Sequence, residues 1–379
     1  MDFEPTDTQK LVRSTARDYA ARVVARQAAV IDRDGVVPRA IMTGLGELGL
    51  LAVNVAEELG GAAAGTVAYS LAMTEISKAC ASTAVTMAVT NMVGEVIARF
   101  GTDEQRATYN QRLSSGAIVG AFALSEADAG SDPGGMRTTA RQSDAGWVLD
   151  GTKQWISHAD SAGVLVVWAR TGNPGPAGLS CFLVDQGTAG LKITGHEDKM
   201  GLRGSHTCSL VLEGCHVGGA ALLGELNGGF KVAMMALDGG RIGIGSQAIG
   251  IAEAALEAAS RYCKERKQFG KSIGDYQAIQ WMIADSRTEL DAARVLVLRA
   301  ALLKDSGTLF SIEASMAKLF ASEAAWRVCN RAVQIHGGYG YVREFPVERH
   351  LRDVRVTQIY EGTSEVQRLV ISRALLKKL

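Results

Sequence analysis

Behind the capping pair Thr6-Asp7, apolar side chains recur every three to four positions from Gln9 to Val30, which is the period of an amphipathic helix. Pro38 opens a second helix that stops near Gly49, and helical spacing returns over 66–81, 82–100 and 103–114. From about Ile118 the period shortens. Runs rich in Val, Ile, Thr and Trp (118–124, 138–142, 147–149, 163–170, 179–184, 191–194 and 208–212) alternate with Gly, Asp and Asn turns. Ser143-Asp144-Ala145-Gly146 has the composition of a hairpin turn. Strands this close, with no helix between them, predict an antiparallel barrel or sandwich. From Gly229 onward the long period returns over 230–263, 276–305 and 309–333, which predicts a helical bundle with packing between subunits. The expected class is therefore α+β multidomain: helices over 1–117, a middle β-domain over 118–226 and a helical bundle over 227–379.

Composition narrows the function. The chain has 379 residues, 47% of them hydrophobic and 6% aromatic, enough for a large core built mostly from Ala, Leu, Ile and Val. Lys+Arg and Asp+Glu are both 40, and this balance argues against nucleic acid as a partner, since phosphate backbones call for a basic excess. Cys80, Cys181, Cys208, Cys215, Cys263 and Cys329 are scattered, with no C-x-x-C and no His at metal spacing; they read as reduced thiols of a cytoplasmic protein, and no metal is expected. Met1 to Pro5 lacks the apolar run of a secretory signal, and no uncharged stretch reaches the ~18 residues of a membrane span.

Six stretches could carry chemistry. Gln358-Ile359-Tyr360-Glu361-Gly362-Thr363-Ser364-Glu365 sets an acid beside a glycine, just outside a helix capped by Thr363 or Ser364. Such a carboxylate can face a pocket with few atoms in its way, although a surface acid favoured by the helix dipole reads the same. The loop from Ala123 to Asp132, with Leu124, Ser125 and Ser131, offers small residues that let a flat ligand or a phosphate approach backbone N–H groups. Trp155-Ile156-Ser157 pairs a stacking ring with a hydroxyl, and the alternative is a core Trp. The glycines of Gln334-Ile335-His336-Gly337-Gly338-Tyr339-Gly340-Tyr341 end a helix and expose N–H groups; they do not form a G-x-G-x-x-G after a strand, so a nicotinamide fold is excluded. Arg266 in Arg266-Lys267-Gln268-Phe269-Gly270, with Gln277 beyond, could pair with a pyrophosphate. Leu237-Asp238-Gly239-Gly240-Arg241 places two glycines inside a helix, at roughly 1–2 kcal/mol relative to Ala, which predicts that something passes close to the helix there.

Taken in order, these blocks resemble the acyl-CoA dehydrogenase family over nearly the whole chain, with KACASTAV and GRIGIGSQAIGIA closest to its short-chain (butyryl-CoA) members. The resemblance implies a four-helix C-terminal domain, FAD in a cleft between the β-domain and those helices, and a homotetramer. It implies oxidation of an acyl-CoA to the trans-2-enoyl-CoA, with electrons passed to electron-transfer flavoprotein. Glu361 would be the general base. Phe122, Ala123, Leu124 and Ser125, with Trp155, Ile156 and Ser157, would meet the flavin, and Ser131 the pantetheine or flavin phosphate region. Arg266, Gln268, Phe269, Gln277, Gln334, Ile335, Gly337 and Gly338 would hold the pyrophosphate and adenosine, with Thr363 and Glu365 in the same region. Leu237, Asp238, Arg241, Tyr360 and Gly362 would line the substrate site. Isovaleryl-type relatives carry their glutamate at the position matching Gly240, so Glu361 stands unopposed here. Ser157 and His158 depart from the family's usual Thr and Asn. An oxidase of the same fold and a flavin-free binding or assembly module are the rival readings; hydrogen peroxide yield under air and uptake of FAD separate them.

Overall fold

A computed structural model describes residues 4–377; Met1 to Phe3, which enter the reading of the N-terminus, lie outside the described residues. Three segments follow in order. The first is helical: α1 (Asp7–Tyr19), α2 (Ala25–Asp34), α3 (Arg39–Glu47), α4 (Gly65–Ala79), α5 (Ala81–Phe100) and α6 (Asp103–Ser114). Thr6 and Gln9 form a reciprocal capping box at the head of α1. The run read as one helix to Val30 is instead interrupted by a π-helical segment, Ala20–Val24. α5 is long and apolar enough to cross a membrane by composition, yet 72% of its apolar window is buried within the fold.

The middle segment holds β1 (Gly120–Ala123), β2 (Thr139–Ser143), β3 (Gly146–Ser157), β4 (Val164–Arg170), β5 (Leu179–Asp185), β6 (Leu191–His196), β7 (Thr207–Gly218) and β8 (Leu222–Leu223). Their order is β6-β7-β3-β2-β4-β5-β8, with β1 on β4, and among the described residues the sheet does not close into a barrel. Most pairs are antiparallel, but β1 and the start of β2 run parallel to β4. β4 is buried on both faces and so reads as an unbroken apolar run. Val164, Val166 and Trp168 pack towards α5, while Leu165, Val167 and Ala169 point into a separate core inside the curled sheet.

The last segment holds α7 (Gly229–Glu265), a small hairpin β9–β10 (Lys267–Gln268, Lys271–Ser272), α8 (Gln277–Asp305), α9 (Ser311–His336), α10 (Val347–Val354) and α11 (Ser364–Leu376). Short contacts lock the three segments together. The Trp168 indole donates to the Gly229 carbonyl at 2.8 Å, fixing the start of α7 on the sheet. The Asp305 carboxylate at the end of α8 accepts from the Thr66 and Val67 N–H groups, capping α4. The buried Asp353 carboxylate of α10 accepts from the Leu202 N–H at 2.7 Å, and burial raises it to about 6.

Candidate active site

Glu361 follows the short helical turn Arg355–Gln358 and precedes α11, whose N-cap is Thr363, its hydroxyl accepting from the Val366 N–H. Its φ is +54° and that of Gly362 is +87°, so the chain turns left-handed twice in succession. A residue with a Cβ holds that conformation only when its surroundings impose it, and such strain gathers at functional sites. The turn carries the carboxylate onto the N-terminal third of α7. There Gly240 leaves room: a Cβ at that position would lie 2.6 Å from Glu361 Oε2. The neighbouring Gly239 takes the Lys304 ammonium in the same way, and Lys304 in turn pairs with Glu95 at 2.7 Å. The two helical glycines thus receive two charged groups.

Glu361 Oε2 is enclosed and has no hydrogen-bond partner. Loss of water pushes this carboxyl up to about 7, against the opposing pull of Arg241 and Lys318. Arg241 is buried and held by Asp238 Oδ1 at 2.5 Å and Ser315 Oγ at 3.2 Å. Asp238 also accepts from Ser311 Oγ at 2.9 Å, and desolvation holds it above the ordinary carboxylate range. One turn along α7 the Tyr69 hydroxyl lies over Gly243, and one turn further Gln247 accepts from the Tyr360 hydroxyl. Positions 240, 243 and 247 share a helix face, so the buried Tyr69 phenol and the half-buried Tyr360 phenol stand on the same side of α7 as the carboxylate. Gly240→Ala should shift the carboxylate by about 1 Å and lower any turnover that depends on its position roughly 10²-fold. Ala favours a helix over Gly, so stability should not fall. Stopped-flow rates alongside chemical denaturation test this, and an unimpaired rate would refute the packing argument.

A second group of residues gathers in an open cleft of about 740 Å³ lined by Tyr262, Arg266, Gln268, Ile335, His336 and the Gly337–Gly338 turn. Nothing lies above either glycine, and the Arg266 guanidinium sits 5.5 Å from the Tyr339 ring centre. Gln334 and Gln277 are exposed nearby in sequence, and Phe269 stands 93% exposed on the β9–β10 hairpin at φ +50°. His336 is structural: its ring stacks on Tyr262 and its Nδ1 meets the Ala332 carbonyl.

The third group belongs to the sheet. A bulge between Lys153 and Ile156 re-aims Trp155, which takes φ +65° and is left 55% exposed, while Ile156 stays in the core and Ser157 is half-buried. Of the preceding block, Phe122 packs on Trp168, Ala123 and Leu124 are buried, Ser125 is half-buried and Ser131 is exposed. His158, which departs from the family's usual Asn, lies inside the fold. It is buried at φ +60° beside Ser205, and burial drives it down to about 4, so it is neutral.

Sequence reasoning missed three residues that organise these groups. Lys153, fully buried, donates to Glu126 Oε1 at 2.9 Å and to the Leu124 carbonyl at 3.1 Å. Lys318, fully buried in α9, donates to the Gly362 carbonyl at 2.7 Å. Gln367 of α11 donates to the Glu361 and Gly362 carbonyls at 3.1 and 2.9 Å. Both lysines stand where the helix or strand period calls for an apolar side chain, and that was the available signal. Thr363 caps α11, and Glu365 lies exposed in its first turn.

The chain matches three family descriptions in succession: acyl-CoA dehydrogenase, N-terminal domain (residues 6–117), middle domain (121–215) and C-terminal domain (227–376). It is 48% identical over 377 residues to the mitochondrial short-chain specific acyl-CoA dehydrogenase of Bos taurus, covering 99% of this chain and 91% of that protein. The butyryl-CoA dehydrogenase structure from Megasphaera elsdenii superposes with a TM-score of 0.97 at 40% identity, covering 99% of this chain and all of that one. A chain solved in work on the electron transferring flavoprotein of Acidaminococcus fermentans superposes with a TM-score of 0.98 at 42% identity, with 99% of this chain and 100% of that one covered.

Proposed function

The chain belongs to the acyl-CoA dehydrogenase family, and from that premise we propose that it oxidises a short saturated acyl-CoA to the trans-2-enoyl-CoA, with FAD as cofactor and Glu361 as the base. The observation that carries this reading is the enclosed, unbonded Oε2 of Glu361 lying against a helix surface that lacks a side chain. A buried oxygen without a donor is primed to take a proton. The α-proton of a saturated thioester is a poor acid, and a carboxylate raised to about 7 is a better base for it than an ordinary one, while about half of it is ionised at neutrality and more above. The proton comes to rest on Glu361, where burial favours the neutral acid. Arg241, held by Asp238 and Ser315, keeps the ionised form accessible before the reaction.

Bound FAD supplies the acceptor for the hydride that leaves the β-carbon. The residues present suit that cofactor: an exposed Trp155 face for a flat ring, half-buried hydroxyls at Ser125 and Ser157, and bare glycines beside Arg266 for a pyrophosphate. The remaining assignments of Phe122 to Leu124, Ser131, Phe269, Gln277, Gln334, Thr363 and Glu365 are part of the same proposal, as are Leu237, Tyr360 and Gly362 at the substrate.

A short acyl group is favoured because Tyr69 and the Tyr360–Gln247 pair crowd the helix face on which the carboxylate lies, and because the chain resembles short-chain specific relatives. Electron-transfer flavoprotein as acceptor, a homotetramer and a cytoplasmic setting complete the reading. Large apolar side chains left open on one subunit, Phe269 and Trp281 among them, support assembly. Anaerobic titration with butyryl-, hexanoyl- and octanoyl-CoA tests the substrate: butyryl-CoA should bleach the flavin fastest. Preference for octanoyl-CoA would overturn the short-chain assignment, and peroxide released stoichiometrically in air would favour an oxidase.

A further inference from the structure

We propose that Lys318 is a positioning residue for the catalytic base: its ammonium fixes the left-handed turn on which Glu361 stands and supplies the nearby positive charge that keeps the carboxylate ionised. The proposal rests on the reading of Glu361 as the base.

Three observations carry it. Lys318 is fully buried in the N-terminal third of α9, where Ala314, Ala317, Ala321 and Ala325 form the core stripe. A lysine is almost never fully buried without a specific partner. Its hydrogen bond goes to a carbonyl, that of Gly362, at 2.7 Å. From the opposite element, Gln367 Nε2 reaches the same carbonyl and that of Glu361. Two donors on two helices therefore clamp consecutive carbonyls of the turn that carries the base. The clamp also explains the glycine, since a Cβ at Gly362, already at φ +87°, would lie 2.6 Å from Gln367 Nε2.

The charge has a separate consequence. Glu361 is faced by Arg241 from α7 and Lys318 from α9, with Tyr69 from α4 and its neighbour Tyr360 close by. Lys318 is faced by Glu361, Arg241, Glu323 and Glu365, and Asp238 bonds Arg241. Burial brings Lys318 down to about 7 even against the upward pull of Glu361. The ammonium favours the carboxylate, so removing it raises the proton affinity of Glu361. The acid limb of the rate then moves to higher pH.

The test compares wild type, Lys318→Met and Lys318→Gln as holoenzymes. Gln keeps a donor for the Gly362 carbonyl without the charge, and it carries the test if Met does not fold. Flavin reduction by butyryl-CoA is followed from pH 5.5 to 9, as is crotonyl-CoA binding. Glu361 is titrated directly by carbon-13 carboxyl resonance, assigned by difference from Glu361→Gln. We expect both variants to shift the acid limb and the carboxyl titration upward by about one pH unit, roughly a fivefold lower rate at neutral pH, with crotonyl-CoA still bound. A lower rate at every pH without a shift, or an unchanged profile, would overturn the proposal. If Glu361→Gln itself reduced flavin normally, the base assignment would fail instead, so the two failures are distinguishable.

Discussion

Replacing Glu361 by glutamine should slow reduction of the bound flavin by butyryl-CoA roughly 10²–10⁴-fold, because an amide fills the same space over Gly240 but cannot accept a proton. Binding should survive, since the side chain keeps its volume and the turn is held through carbonyls rather than through the carboxylate. Crotonyl-CoA affinity should therefore stay near that of wild type while the single-turnover rate collapses. A loss confined to the chemical step identifies an interaction realised only in the transition state. Wild-type bleaching by Glu361→Gln would remove Glu361 from the reaction.

Lys153→Met should be the most damaging single change to stability, at roughly 3–5 kcal/mol, because it strands a buried carboxylate. Glu126 Oε1 and Oε2 accept from Thr138 and Arg137 N–H groups as well as from Lys153, and through these bonds the loop from Leu124 to Thr138 is tied to β3. Ser125 is on that loop, its carbonyl accepting from the Gln154 N–H beside Trp155, so the face offered to the flavin should loosen together with the pair. Equilibrium denaturation measures the first effect and the fraction of protein purified with FAD the second. Lys153→Met/Glu126→Gln, in which neither partner is charged, should recover at least half of the loss. A Lys153→Met variant as stable as wild type would show that the pair is dispensable.

Much of the architecture was legible because period and burial agree. The alternation that marks β-strands holds over the first halves of β3 and β7, before the bulges, and the hairpin turn at Ser143–Gly146 falls where its composition puts it. The glycine pair in α7 was informative because a helix interior tolerates glycine poorly, and two charged groups do lie against it. The π-helical insertion after Tyr19 left no mark, since its residues keep an ordinary helical composition. The depth of His158 left no mark either, because a histidine after a strand has no compositional sign of burial; it meets Ser205 and His206, almost fifty residues away. Lys153 and Lys318 were overlooked for the opposite reason. Each interrupts an apolar stripe, a local inconsistency that marks a buried cation only once its partner, Glu126 or the Gly362 carbonyl, is known. Chemistry drawn from residues far apart in the chain escapes any window-based reading.

Along α7, Gly240, Gly243, Gly245 and Gly250 are each filled by something foreign: a carboxylate, a phenol, a valine methyl and a backbone carbonyl. Ordinary mutational intuition is reversed on this lane. Truncation to alanine, the customary neutral probe, is there an enlargement, and the gentlest-looking substitutions become the intrusive ones. A scan that converts residues to alanine and skips glycines would report the longest helix of the protein as permissive and pass over the surface against which its chemistry is shaped.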